Sequence, residues 1–149
     1  MIVERELVFF EKEIKTQNEL FNFMFDKLLE KNYVTKEYLP KIIEREKNYP
    51  TGLQLEKINV AIPHTDPNCS NANKIFIIKL KNPVKFINAE TGEEIGINLI
   101  LGLIFKNGDN QIDILKKIGE FLQEEKYQDE ILACQEQEKF YKVMEKLFT

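Results

Sequence analysis

The chain has 149 residues, a formal net charge of -4 and 43% hydrophobic residues. This length suits one domain, and the composition is that of a globular protein rather than a disordered one. Acidic and basic residues are mixed throughout the chain, which argues against the broad basic face that binds nucleic acid. We therefore predict a single domain over residues 1-149, with no nucleic acid among its partners.

The apolar segments of the chain are short. The longest, Ile95 to Phe105, contains two glycines and an asparagine and falls below the roughly 18 residues that a membrane span needs. Residues 1–6 lack the basic-then-apolar order of a secretion signal. Cys69 and Cys134 form no CxxC pair. We expect a cytoplasmic protein with reduced thiols and no direct membrane insertion.

The first third of the chain predicts a strand and a helix. Leu7 to Phe10 is a short apolar run of the kind found in strands. Thr16 to Glu19 has the order of a capping box, in which the threonine side chain accepts from first-turn amides. The apolar residues from Leu20 to Leu29 recur at helical spacing, so a helix is expected to follow Thr16.

A second helix is predicted from Thr35, a candidate N-cap, to a point near Asn48. Pro50 and Gly52 then indicate a loop.

Strands are predicted in the middle of the chain, separated by turn residues. Ile75 to Leu80 and Ile97 to Phe105 are apolar on both faces, which is typical of central strands. The predicted strands are Asn59–Ile62, Ile75–Leu80, Val84–Ile87 and Ile97–Phe105, with a turn at Thr91–Gly92.

The last third is helical in pattern. A turn is predicted at residues 108–110, and apolar residues from Ile112 to Leu122 follow at helical spacing. A final helical region runs from about Asp129 to Phe148, with a break near Gln135. This order of elements predicts an α/β (α+β) fold, in which helices cover both faces of a mixed sheet.

The strongest chemical signal is His64, the only histidine of the chain. It follows the apolar run Val60–Ile62 and Pro63. The proline ends strand pairing and holds the preceding residue extended, so His64 is presented stiffly at the rim of a sheet. An imidazole in such a position suits nucleophilic attack on phosphorus.

Other interpretations of His64 stay open from these residues alone. It can be a solvated loop residue or a hydrogen-bonded structural one, and a dyad with Cys69 is conceivable. A zinc site lacks its usual three or four ligands, and the chain contains no Walker or GxGxxG motif.

Four further residues are candidates for holding a phosphoryl group. Arg45 has the planar fork that suits phosphate, although a cation also favours the C-terminal end of its helix. Thr51 and Gly52 lie where backbone amides can approach an anion. Gln111 opens a helix whose free amides attract anions, although a surface glutamine there is more often only solvated.

These motifs together resemble a known family. Arg45–Glu46, Pro50–Leu53 and Val60–His64 are similar to enzyme IIA of the mannitol/fructose class of the bacterial phosphotransferase system. The spacing and Gln111 resemble the galactitol branch most, and the resemblance extends from about residue 5 to residue 148.

The resemblance implies a mixed sheet flanked by helices and a phosphoryl carrier without cofactor or metal. His64 would accept phosphate from the histidine-containing phosphocarrier protein and pass it to a cysteine of a IIB component. Arg45 would lie near the active site. Gln111 stands where many members have a second histidine.

We expect His64 in a shallow depression with an apolar rim that includes Ile62, Pro63 and the helix near Gln111. A regulatory IIA protein and a binding module without phosphoryl transfer are the alternatives.

Overall fold

The computed structural model describes residues 2–106 and 111–149. Within them, five strands form one mixed sheet in the order β1-β4-β5-β3-β2. The strands are β1 (Val8–Lys12), β2 (Gly52–Gln54), β3 (Asn59–Ala61), β4 (Lys74–Ile87) and β5 (Glu94–Ile104). The helices are α1 (Gln17–Glu30), α2 (Tyr38–Asn48), α3 (Gln111–Gln123), α4 (Glu125–Ala133) and α5 (Gln137–Phe148), with short 3-10 turns at Arg5–Leu7 and Pro67–Cys69.

The sheet mixes parallel and antiparallel neighbours, as predicted. β1 runs parallel to β4, and β3 runs parallel to β5. The pairs β4–β5 and β2–β3 are antiparallel. Both parallel pairs need long connections, and helices or loops supply them. β3 thus lies beside the central strand β5, which fixes where the chain after β3 emerges from the sheet.

Helices cover both faces of the sheet, which confirms the predicted architecture. On one face, α1 and α2 pack against residues such as Phe76 and Ile78 of β4. On the other face, α3, α4 and α5 pack against Ile75 and Ile77, which alternate with Phe76 and Ile78 along β4. Because successive strand residues point to opposite faces, a strand that is apolar throughout supplies both cores.

At Gly102 in β5, a side chain of α1 approaches the sheet closely. A Cβ at this position would lie 2.4 Å from the terminal methyl carbon of Met24 and 3.3 Å from Cβ of Phe76. The absent side chain therefore lets the buried Met24 reach the centre of the sheet.

The start of α1 is as predicted, whereas that of α2 is not. The Thr16 hydroxyl accepts from the Glu19 amide at 3.1 Å, and the Glu19 carboxylate accepts in return from the Lys15 amide. Thr35 is not an N-cap. α2 begins only at Tyr38, because a turn closed by the Tyr38 N–H and the Thr35 carbonyl precedes it. Its N-cap is Glu37, whose side chain makes no capping hydrogen bond.

Several predicted boundaries also change. The predicted strands Ile75–Leu80 and Val84–Ile87 are one strand, β4, whose pairing with β5 shifts register between Lys79 and Val84. The predicted turn at Thr91–Gly92 is confirmed, with Gly92 at a φ of 75°. The final helical region consists of two helices, α4 and α5. The chain is non-helical between them around Gln135, where a break is predicted. The turn expected at 108–110 lies outside the described residues.

Gly52 opens strand β2 instead of lying in a loop. Its carbonyl accepts from the Ala89 amide at 2.8 Å. A Cβ on Gly52 would lie only 2.6 Å from the Ile87 carbonyl oxygen. The glycine is thus required for the close approach of β2 to the end of β4.

Candidate functional site

His64 lies just beyond β3, held against the last residues of β5. The amide of Leu103 donates to the Pro63 carbonyl at 3.0 Å, and His64 itself forms an isolated parallel bridge with Leu103. The backbone therefore continues along β5 for a few residues after β3 ends, which gives His64 a fixed position at the rim of the sheet.

A local hydrogen bond determines the tautomer of the His64 ring. Nδ1 lies 2.8 Å from the carbonyl oxygen of Ile62. A carbonyl can only accept, so we assign the hydrogen to Nδ1 in the neutral ring. The lone pair then resides on Nε2, the nitrogen that remains for nucleophilic attack.

His64 lines a depression of about 320 Å³, which also brings together Arg45 and Gln111. Three residues predicted from separate parts of the sequence, in α2, after β3 and at the start of α3, therefore meet at one place. The other lining residues are Ile62, Thr65, Asp66, Pro67, Leu103, Phe105 and Leu115.

Arg45 extends from the last turn of α2. Its guanidinium carbon lies 5.0 Å from the centre of the Tyr49 ring, and its buried Nε atom has no hydrogen-bond partner in the part of the chain that the structure describes. Within residues 2–106 and 111–149, no carboxylate forms an ion pair with it. The cation is consequently available to an anion in the depression.

Gln111 is the first residue of α3. Its side-chain amide nitrogen donates to the carbonyl of Lys106 at 3.0 Å. The glutamine thus ties the start of α3 to the segment that leaves β5, and this places the helix beside His64.

Thr51 and Gly52 do not line the depression. The amide and the hydroxyl of Thr51 both donate to the carboxylate of Glu46, each at 2.7 Å. Burial raises the pKa of Glu46 above its ordinary value, and these two bonds only partly offset that effect. Thr51 is therefore placed to support the site rather than to touch a ligand.

The rim of the depression is apolar where α3 borders it. Leu115 of α3 lines the depression and is 50% exposed. Ile62 lines the depression, as expected. Pro63 is buried and does not line it, so the expectation that Pro63 lies on the rim is wrong. The reason is that its carbonyl pairs with the Leu103 amide, which holds this residue against β5.

Sequence reasoning missed Phe105 among the lining residues. Asp66 follows His64 by two residues, is exposed and lines the depression. Phe105 and Leu115 gave no local signal, because only the packing of α3 beside β5 brings them to His64.

A family model for EIIA 2 of the phosphoenolpyruvate-dependent sugar phosphotransferase system matches residues 1–147. The chain belongs to this family. As an EIIA 2 protein, it is 27% identical over 100 residues to the galactitol-specific EIIA component of Escherichia coli K12, with 67% of each chain covered.

Solved structures of related fold include other IIA proteins. The mannitol-specific cryptic phosphotransferase enzyme IIA of Escherichia coli superposes with a TM-score of 0.76 at 23% identity, with 97% of this EIIA chain and 95% of the other covered. The IIA–IIB mannitol complex of Escherichia coli, with IIB phosphorylated, gives a TM-score of 0.71 at 19% identity over 94% and 95% of the chains. Across residues 2–106 and 111–149 of this EIIA protein, no helix has the length and apolarity to cross a membrane.

Proposed function

We propose that this protein is a phosphoryl carrier of a sugar phosphotransferase system, with Nε2 of His64 as the carrying atom. It accepts the group from the histidine-containing phosphocarrier protein and gives it to a cysteine of a IIB component. The observation that carries this proposal is the bond between Nδ1 of His64 and the Ile62 carbonyl, which leaves a lone pair on Nε2 in an open depression.

Each transfer is a displacement at phosphorus. The Nε2 lone pair of His64 forms a bond to phosphorus while the bond to the donor's histidine nitrogen breaks, and that nitrogen leaves with the electron pair. In the second step a cysteine thiolate of IIB attacks the same phosphorus, and Nε2 takes back its electron pair. Such transfers depend mainly on positioning and on neutralising the charge of the moving group.

Arg45 supplies that neutralisation. Arg45 lines the same depression as His64, and its guanidinium forms no ion pair with a carboxylate among the described residues. A planar fork of N–H donors matches two phosphoryl oxygens at once. We assign Arg45 to the equatorial oxygens, with Gln111 supporting the site from the start of α3.

The apolar rim explains how one histidine serves two partners. A transient interface needs a desolvated centre surrounded by polar groups. Leu115 and Phe105 provide such a centre beside His64, and the exposed Asp66 lines the same depression. Because both transfers use one atom, the two partners bind in turn at overlapping surfaces.

The proposed setting is cytoplasmic sugar uptake of the galactitol type, following the likeness to the galactitol-specific component. The test is to incubate the protein with phosphorylated phosphocarrier protein and map the modified residue. Acid-labile phosphate on His64 that chases onto a IIB cysteine supports transport. Labelling that no IIB component discharges points to the regulatory alternative, and absence of any labelling refutes the carrier.

A further inference from the structure

The carboxylate of Glu46 begins a line of hydrogen bonds that ends at the imidazole of His64. Glu46 is only 4% exposed and directly follows Arg45 in the last turn of α2. Its Oε2 accepts from the Thr51 amide and its Oε1 from the Thr51 hydroxyl, each at 2.7 Å. One residue therefore holds both oxygens of a buried carboxylate.

The line continues through the backbone of the two short strands. The carbonyl of Thr51 accepts from the amide of Ile62 at 3.3 Å. This pair extends the β2–β3 ladder by one step beyond Gly52 and Ala61. The carbonyl of Ile62 then accepts from Nδ1 of His64 at 2.8 Å.

This arrangement links the two residues that the reaction needs. Arg45 and Glu46 are consecutive, so fixing Glu46 to Thr51 also fixes the turn of α2 that carries the guanidinium. Thr51 in turn fixes Ile62, whose carbonyl orients the imidazole. Small displacements of reacting groups have large effects on rate, so a tie between these elements affects the transfer.

We propose that Glu46 is a positioning residue, which acts through Thr51 and Ile62 to hold His64 in the Nδ1–H tautomer and in register with Arg45. The part concerning transfer depends on the proposed function. The part concerning the tautomer does not, since it is a property of the protein without phosphate.

The experiment uses His64 as its own probe, because a chain with one histidine gives one set of imidazole signals. Nitrogen-15 NMR at about pH 9, where imidazoles are neutral, reports the tautomer. Single-turnover transfer from the phosphorylated phosphocarrier protein reports the rate. Both are measured for the wild type, Glu46→Ala, Glu46→Gln, Thr51→Val and Thr51→Ser.

We expect Glu46→Ala to mix the tautomers and to slow transfer by about tenfold to a hundredfold. Thr51→Val, which loses only the hydroxyl bond, should shift both readouts less, in the same direction. Glu46→Gln should stay within about threefold of wild type, because its amide oxygen still accepts from Thr51 N–H and its NH2 donates to the rotated hydroxyl. Thr51→Ser keeps both bonds and should also match the wild type.

Gln137→Ala is the matched control. This glutamine also ties a helix to an edge strand, accepting from the Phe10 amide and donating to the Val8 carbonyl, but at the opposite edge of the sheet. It should lower stability and leave the tautomer and the rate unchanged.

The proposal is overturned if Glu46→Ala keeps the wild-type tautomer and rate, or if Gln137→Ala shifts them equally. If Glu46→Ala does not fold, an unchanged Thr51→Val overturns it instead. Failure of the wild type to accept phosphate would refute the proposed function, while the tautomer measurement would still decide the role of Glu46.

Discussion

The imidazole of His64 is hydrogen-bonded to the carbonyl of Ile62, two residues earlier, across 2.8 Å. Pro63 lies between them and directs its own carbonyl to the amide of Leu103 in β5. The fixed φ of the proline makes this tight geometry stiff. One three-residue segment thus follows the end of β3, pairs with the neighbouring strand β5 and leaves the lone pair of the neutral ring on Nε2.

Replacing His64 by alanine should abolish acid-labile phosphorylation. The free energy of unfolding should fall by only about 1 kcal/mol, because one local side-chain hydrogen bond is lost from a partly buried residue. Labelling with phosphorylated phosphocarrier protein and thermal unfolding check the two parts. Undiminished labelling of the variant would exclude His64 as the carrier, whereas severe destabilisation would show a mainly structural role.

Replacing Arg45 by lysine should slow the transfer to His64 by about tenfold to a thousandfold, the range for loss of one stabilising contact. The charge remains, but the two-pronged geometry is lost. Single-turnover kinetics measure the effect. Arg5→Lys is the control, because Arg5 is the only other arginine of the chain and pairs with Glu138 on α5. Equal rates for Arg45→Lys and the wild type would show that Arg45 only completes its helix.

Replacing Leu115 by serine should weaken association with both protein partners by about tenfold, since a half-exposed leucine at an interface centre contributes roughly 1–2 kcal/mol. Leu132→Ser provides a matched control, because Leu132 is 49% exposed on α4 and does not line the depression. Titration calorimetry or NMR titration gives the dissociation constants. Equal weakening by both substitutions, or by neither, would place the docking surface elsewhere.

Replacing Glu46 by glutamine should change how stability depends on pH. Burial raises the pKa of Glu46 in the folded protein above 4.5, its ordinary value. Between pH 4.5 and its folded pKa, Glu46 therefore binds more protons in the folded state than in the unfolded state. Its contribution to the free energy of unfolding falls as the pH rises through this interval. Glutamine does not ionise, so the variant should gain stability relative to the wild type as the pH rises from 4.5 through the folded pKa.

Denaturant unfolding of both proteins between about pH 4 and pH 8 measures this difference. A constant difference across that interval would show that Glu46 ionises as freely in the folded protein as in the unfolded chain. A difference that grows as the pH falls would reverse the sign of the inferred shift.

Much of the fold was predictable because its signals are local. The strands β4 and β5 are apolar on both faces, which requires a covered sheet. The Thr16 hydroxyl caps α1 as expected, while Glu19 reaches back to the Lys15 amide. The start of α2 was not predictable from Thr35, since an intervening turn competes with the cap. Strand β2 escaped prediction because Pro50 and Gly52 indicate a loop, and because its pairing with β3 is a tertiary contact.

The sequence by itself determined that His64 stands stiffly after an apolar strand, because proline restricts the backbone on both sides of its own bond. It also determined the family, through motifs that lie close together along the chain. Only the tertiary structure decided that Arg45, His64 and Gln111 share one depression whereas Thr51 instead pairs with a buried Glu46. The physical reason is that the order of strands in a sheet, and the helices packed on it, depend on contacts between distant residues that no local pattern records.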